Sequence, residues 1–333
     1  MLDKKDIRLL AQLQDHFPLD PQPYAVIAKR LHLSPDTVLR KVSLLRKKGI
    51  IRYIGAVIDT KRIGLKSSLV AMAVPSVRVK EVGAIINSYP EVTHNYLRDD
   101  EYNMWFTISS ATDAKRAALI RRIRRDTGIV KCLDLSTINV FKINARFSLD
   151  QGAPQMRAGM SDGNRKVSRG IRIRIDRQVL AALAMPLDGS DRPFRAIALR
   201  LGCSERTVTQ LLAAGLEKKL IRRFGAVLDH YKIGLKTNAL VAWRVSRADI
   251  ASVAKVMCRV PNISHCYWRR EQPGWPYTLY TMVHSSDRRQ CRAILTLILR
   301  SIGHTIESMK ILFTVRELKK TRFNAEGIGA ARC

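Results

Sequence analysis

Two short stretches hold the residue types from which chemistry could be built: His94-Asn95-Tyr96-Leu97-Arg98 and His265-Cys266-Tyr267-Trp268-Arg269. Each is a His-x-Tyr-x-Arg pattern, and strict alternation is a strand signature. Successive strand side chains point to opposite faces. Histidine, tyrosine and arginine therefore share one face, while Asn95/Leu97 or Cys266/Trp268 take the other. An imidazole titrates near neutral pH. A phenol is a weak acid with one directed hydrogen bond. A guanidinium is a permanent cation shaped to grip carboxylates. Such a row suits an anionic ligand and proton transfer. Either copy alone reads as ordinary, because a strand histidine is usually structural and tyrosine is a common strand former. Recurrence of all three types at matched spacing in two diverged halves reverses that weighting.

Other candidates carry less. Tyr102, beside the first row, is a candidate for a site wall. Lys66 and Lys236, each closing an Ile-Gly-Leu-Lys repeat, could bind carboxylates, although a charged turn is the plainer reading. Trp105 and Phe106 read as core rather than as a platform for a flat ligand. His16, His32, His230, His284 and His304 have no partner in the repeat and read as surface or structural.

These residues sit in a chain of 333 residues, long enough for two or three domains. A hydrophobic fraction of 46% allows a sizeable core. No run approaches the roughly 18 apolar residues of a membrane helix. The opening Met1-Leu2-Asp3-Lys4-Lys5-Asp6 has no apolar signal core. The expectation is a cytoplasmic protein without a membrane partner. Cysteines 132, 203, 258, 266, 291 and 333 are scattered with no C-x-x-C pair, which argues against zinc, Fe–S or a disulfide scaffold. The 59 basic and 28 acidic residues give a net charge of +31. That field attracts polyanions. Nucleic acid is the commonest such partner, and a small ligand carrying many carboxylates is the rarer one.

The rows belong to an internal duplication. Gly55-Ala56-Val57-Ile58-Asp59 returns as Gly225-Ala226-Val227-Leu228-Asp229, and Ile63-Gly64-Leu65-Lys66 as Ile233-Gly234-Leu235-Lys236, both at an offset of 170. The rows are offset by 171, and Arg146-Phe147 and Arg322-Phe323 by 176. Two long copies point to duplication and fusion, not to a solenoid. Each copy opens with three helices. Ser34-Pro35-Asp36-Thr37 and Ser204-Glu205-Arg206-Thr207 start the third helix with a serine cap, and Gly49 ends it in copy one. A strand-like wing follows, so the pattern is a winged helix-turn-helix. The rest reads β-α-β-β-α-β, a ferredoxin-like unit with helices on one sheet face. The other face is free to line a cleft or to dimerise. The expected class is α+β, a tandem duplication. Residues 1–60 form a winged helix-turn-helix and 61–150 a ferredoxin-like domain. Residues 151–170 form a Gly/Pro-rich linker. Residues 171–230 form a second winged helix-turn-helix and 231–325 a second ferredoxin-like domain.

This order resembles the Lrp/AsnC regulators over nearly the whole of both copies. Val92-Thr93-His94-Asn95-Tyr96-Leu97-Arg98 followed by Tyr102-Asn103-Met104-Trp105-Phe106-Thr107 more narrowly resembles the sirohaem decarboxylases, enzymes of the same architecture. That resemblance implies removal of two acetate carboxyl groups from sirohaem, giving 12,18-didecarboxysirohaem in haem d1 biosynthesis, with no added cofactor. It implies a fused form of what are elsewhere paired subunits. A related decarboxylase subunit or a self-dimer, through exposed sheet edges, is a further expected partner. Copy two departs from the pattern, with Cys266 and Trp268 for Asn and Leu and with a hairpin lengthened by Gln272-Pro273-Gly274-Trp275-Pro276. Under this reading His94, His265, Tyr96 and Tyr267 are catalytic, and Arg98, Arg269, Tyr102, Lys66 and Lys236 bind substrate. Either histidine is a proton-transfer group or an axial ligand to the substrate's iron, and no resident metal is expected. The alternatives are a DNA-binding regulator and a non-catalytic haem sensor or carrier. For the regulator, the first recognition helix offers Arg40, Lys41, Arg46, Lys47 and Lys48 as phosphate contacts. The second recognition helix differs from it, which fits two-fold operator reading poorly.

Overall fold

The structure, a computed structural model, describes residues 2–143, 147–148, 155–156 and 175–321. The expected linker, apart from 155–156, lies outside the described residues, as do the repeated Arg146 and Arg322-Phe323. No described helix is long and apolar enough to cross a membrane.

Copy one begins with α1 (Lys4–Asp15), α2 (Pro23–Leu31) and α3 (Pro35–Lys47), then strand β1 (Ile51–Ile58). Asp3 and Asp6 form a reciprocal capping box on α1. Ser34 caps α3 through the Thr37 amide, with Pro35 at the first turn. Copy two repeats this as α6 (Arg177–Leu183), α7 (Arg195–Leu201), α8 (Glu205–Glu217) and β6 (Ile221–Leu228). The two three-helix units share one hydrophobic core, from Leu9, Leu13 and Ile27 to Leu183, Phe194 and Leu212. β1 and β6 pair antiparallel across the pseudo-two-fold, with Gly55 opposite Gly225. This explains the repeated Gly-Ala-Val. A Cβ on Gly225, at φ +153°, would stand 2.6 Å from the Leu13 carbonyl oxygen, so the ribbon can cross the end of α1 only there.

The second half of each copy has the predicted β-α-β-β-α-β order. Copy one supplies β2 (Lys66–Met72), α4 (Val79–Ser88), β3 (Val92–Arg98), β4 (Met104–Ser110), α5 (Asp113–Thr127) and β5 (Cys132–Ile143). Copy two supplies β7 (Thr237–Val245), α9 (Ile250–Arg259), β8 (Ile263–Arg269), β9 (Leu279–Ser285), α10 (Arg288–Ile302) and β10 (Ile306–Lys320). Each sheet packs its helices on one face, around Val70, Phe106 and Ile123 in copy one and Val241, Cys266 and Leu295 in copy two.

The free faces do not look outward. The two sheets close into one eight-stranded barrel, in the order β8-β9-β7-β10-β3-β4-β2-β5. Closure uses the last strand of each copy, which runs further than the sequence pattern indicates. β5 continues to Ile143 and pairs with β8 of copy two. β10 continues to Lys320 and pairs with β3 of copy one. All eight barrel strands therefore have two partners, and the sheet edges expected to support a self-dimer are used inside the chain. The interior is filled by Leu69, Ala71, Trp105, Leu135, Tyr280 and Leu312. The lengthened hairpin of copy two folds Trp275 into this interior, 3% exposed, against Tyr102 and Trp105.

Candidate active site

Strands β3 and β8 stand four places apart in either direction around the barrel, so they face each other across it. Their alternation places the rows as predicted. Tyr96 lies opposite Trp105 and Tyr267 opposite Tyr280, both interior residues. Asn95 turns outward, where its amide donates to Asn87 Oδ1 of α4 at 3.0 Å, and Cys266 lies in the helix-side core. The rows share one geometry. His94 stacks near Tyr96 at 6.4 Å between centroids, and His265 near Tyr267 at 5.9 Å. Arg98 lies 5.4 Å from the Tyr96 ring centre, and Arg269 lies 4.6 Å from that of Tyr267.

Neither row is complete within its own copy. Arg98 Nη1 donates to the Leu312 carbonyl at 2.9 Å and to Thr314 Oγ1 at 3.1 Å, both on β10. Arg269 Nη1 donates to the Leu135 carbonyl and to Thr137 Oγ1, both at 3.0 Å, on β5. The guanidiniums are 3% and 5% exposed, and each leaves Nε without a partner. Among the described residues neither forms an ion pair. Burial pulls Arg98 down to about 10 and lowers Arg269 as well. A buried cation without a counter-ion is costly. Two of them, fixed by matching carbonyl–threonine pairs, suit a ligand that brings its own carboxylates.

The imidazoles are held neutral. Burial, then Lys320 and Arg52, brings His94 down to about 4. Burial, then His94 and Lys320, brings His265 down to about 3. Both stay half-buried, so part of each ring remains accessible.

The site includes residues that sequence reasoning left out. His284, on β9, is buried and shares Ser264 with His265. The serine hydroxyl lies 2.6 Å from His265 Nδ1 and 2.9 Å from His284 Nε2. His230, just after β6, sits edge-on to His284 with centroids 5.0 Å apart. These two histidines, read as surface or structural, are buried beside the rows. They escaped because they have no partner in the repeat. Ser109 stands at the position of His284, and Thr60 at that of His230. Arg52 bridges Glu317 at 2.9 Å and Asp229 at 3.0 Å. Its counterpart Arg222 pairs with Asp59 at 3.0 Å, its one ion pair among the described residues. The Arg52/Arg222 and Asp59/Asp229 offsets of 170 were a signal that could have found this pair.

The strands closing the two rows differ. β10 sets Lys320 opposite His94 and Glu317 opposite Tyr96. β5 sets Ile143 opposite His265 and Val140 opposite Tyr267. Two sequence candidates lie apart. The Lys66 side chain is exposed and paired with Asp113, and Lys236 is exposed. Neither joins the rows. Tyr102 precedes β4 and packs on Trp275 in the barrel interior. Trp105 is interior and Phe106 is helix-side core. On the first recognition helix, Lys41 is tied to Asp3 and Asp6, and Arg46 donates to the Leu187 carbonyl.

Comparison with known proteins agrees with this fold. The family model described as AsnC-like ligand binding domain matches residues 62–142 and 232–319. The model described as Siroheme decarboxylase NirDL-like HTH domain matches residues 6–52. The "Siroheme decarboxylase NirDL subunit" of Paracoccus denitrificans is 32% identical over 295 residues, 88% of this chain and 89% of that one. The "Siroheme decarboxylase alpha subunit" of Nitratidesulfovibrio vulgaris is 38% identical over 150 residues, 45% of this chain and 85% of that one. Among solved structures, "Crystal structure of the siroheme decarboxylase NirDL" superposes with a TM-score of 0.68 at 24% identity, covering 96% of this chain and 94% of that chain, a likeness of fold. This chain belongs to the siroheme decarboxylase family, with two AsnC-like copies joined in one polypeptide.

Proposed function

We propose that this chain is a carboxy-lyase that removes two acetate carboxyl groups from sirohaem without oxidation, giving 12,18-didecarboxysirohaem on the route to haem d1. The iron belongs to the substrate. The observation that carries this reading is the pair of buried, uncompensated guanidiniums, Arg98 and Arg269, each in line with a neutral imidazole and a phenol on facing barrel walls.

Each step is R–CH2–CO2⁻ + H⁺ → R–CH3 + CO2. Protonation of the pyrrole lets the ring hold the electron pair released as CO2 leaves; a proton then completes the methyl group as the ring gives its own proton back, so one proton is taken up per carboxyl lost. The protein must grip carboxylates, stabilise charge and deliver protons. Arg98 and Arg269 grip carboxylates. Tyr96 and Tyr267, lying against them, orient the acetates. His94 and His265 meet the substrate as neutral imidazoles. One chain carries both rows, so a second subunit is not required.

Anaerobic incubation of the purified chain with sirohaem, followed by mass spectrometry, tests the reading. Loss of two CO2 units supports it. An unchanged but bound tetrapyrrole would mean a sensor or carrier, and no binding would return the regulator reading to the front.

A further inference from the structure

The closing strands break the symmetry of the two rows in a chemically specific way. Position for position, β10 offers copy one an amine and a carboxylate, Lys320 and Glu317, where β5 offers copy two Ile143 and Val140. The Lys320 side chain is 22% exposed. Its neighbour Glu317 is committed to Arg52 through two hydrogen bonds, of 2.9 and 3.3 Å. The nearest approach of the ammonium to that carboxylate is 3.9 Å, and among the described residues Lys320 makes no side-chain hydrogen bond. It stands within electrostatic reach of His94, His230, His265 and His284 alike. An ammonium set opposite His94, whose one ion pair is a 3.9 Å approach to a carboxylate already committed to Arg52, has no folding role visible in its contacts.

We propose that Lys320, reaching from copy two over the His94 row of copy one, grips a reacting acetate carboxylate and, once CO2 has left, gives its proton to the methylene carbon. This rests on the sirohaem reading above. The carbon–carboxyl bond breaks, and its electron pair stays with the methylene carbon and the ring. A new C–H bond forms with a proton from Nζ, and the resulting amine regains a proton from water. No oxidant or reductant is needed. Burial, then Arg52, pulls Lys320 down to about 8, a suitable range for a donor at neutral pH. The neutral imidazoles have no proton to spare there. The acid chemistry therefore belongs to the half built from β3 and β10, while the His265 row, closed by aliphatic side chains, holds the ring.

The test compares the full chain with Lys320→Met and Lys320→Arg, using sirohaem under anaerobic conditions. Binding is read by absorbance and single-turnover CO2 loss by mass spectrometry. Methionine keeps the length without charge, and arginine keeps the charge without a readily given proton. The expected result is bound sirohaem with CO2 loss slowed roughly 10²-fold in both variants. The parent's rate should fall above about pH 8, and that fall should be absent from the residual rate of Lys320→Arg. Either variant turning over within twofold of the parent overturns the proposal and leaves the decarboxylase reading standing. If Lys320→Met does not fold, Lys320→Arg alone decides. A parent that binds sirohaem without releasing CO2 overturns both.

Discussion

Replacing Arg98 with methionine should separate a folding role from a binding role, because the two predict opposite signs. In the folded chain Arg98 is 3% exposed, donates to Leu312 and Thr314, and leaves Nε unpartnered. Removing the guanidinium deprives those two acceptors of a donor, at about 1–3 kcal/mol. It also removes an uncompensated buried charge, which returns several kcal/mol. Methionine keeps most of the volume, at under about 1.5 kcal/mol. Without ligand, the variant should therefore melt at the parent's temperature or up to several degrees above it, at roughly 1–2 °C per kcal/mol for a chain of 333 residues. For an anionic ligand the sign reverses. Losing one charge-assisted hydrogen bond costs about 1.5–3 kcal/mol, roughly a 10- to 150-fold weaker Kd. Thermal unfolding by circular dichroism gives the first quantity, and anaerobic absorbance titration with sirohaem gives the second. A melting temperature lowered by about 10 °C together with an unchanged Kd would refute the reasoning and make Arg98 a structural residue.

Replacing His94 or His265 singly with alanine should slow CO2 loss by roughly 10²-fold, through misplacement of the ring rather than loss of an acid, read by mass spectrometry; full activity in both variants would dissolve the pairing of the rows. Acid should destabilise the chain before carboxylates titrate. His94, His265 and His284 have folded values of about 4, 3 and 3 against about 6.5 when unfolded. The unfolded chain takes up protons first, so their contribution is full above about pH 6.5 and is lost as pH falls towards 3. Urea midpoints between pH 7 and 5 should decline, and less steeply in His284→Asn. Trp275→Ala empties a site inside the barrel and should cost about 3–5 kcal/mol, read by denaturant unfolding.

The rows were legible because alternation and repetition are local signals, and the structure puts all six residues on the interior faces. The helix starts at Ser34 and Ser204 were legible for the same reason, since a cap lies within four residues of what it caps. The closure of the barrel was not. Pairing between His94 and Lys320 joins residues far apart in the chain, and no local pattern specifies it. Nor does alternation alone carry the last strands as far as Ile143 and Lys320, the residues facing the histidines. His230 and His284 were missed for the opposite reason. A search for matched pairs finds what the two copies share, and these histidines sit where the copies differ.

The exchange of last strands also bears on why two copies share one polypeptide. Were β5 and β10 on separate molecules, each row would exist only as often as the molecules met, and dilution would empty the site. A covalent link replaces that encounter with an intramolecular one, at an effective concentration set by the link and not by the protein in solution. The rate per chain should then be the same at nanomolar as at micromolar protein. The tether also guarantees that each row meets the unlike copy and never its own duplicate. Two identical halves could not supply Lys320 to one row and Ile143 to the other, so fusion protects the difference between the rows as well as their assembly.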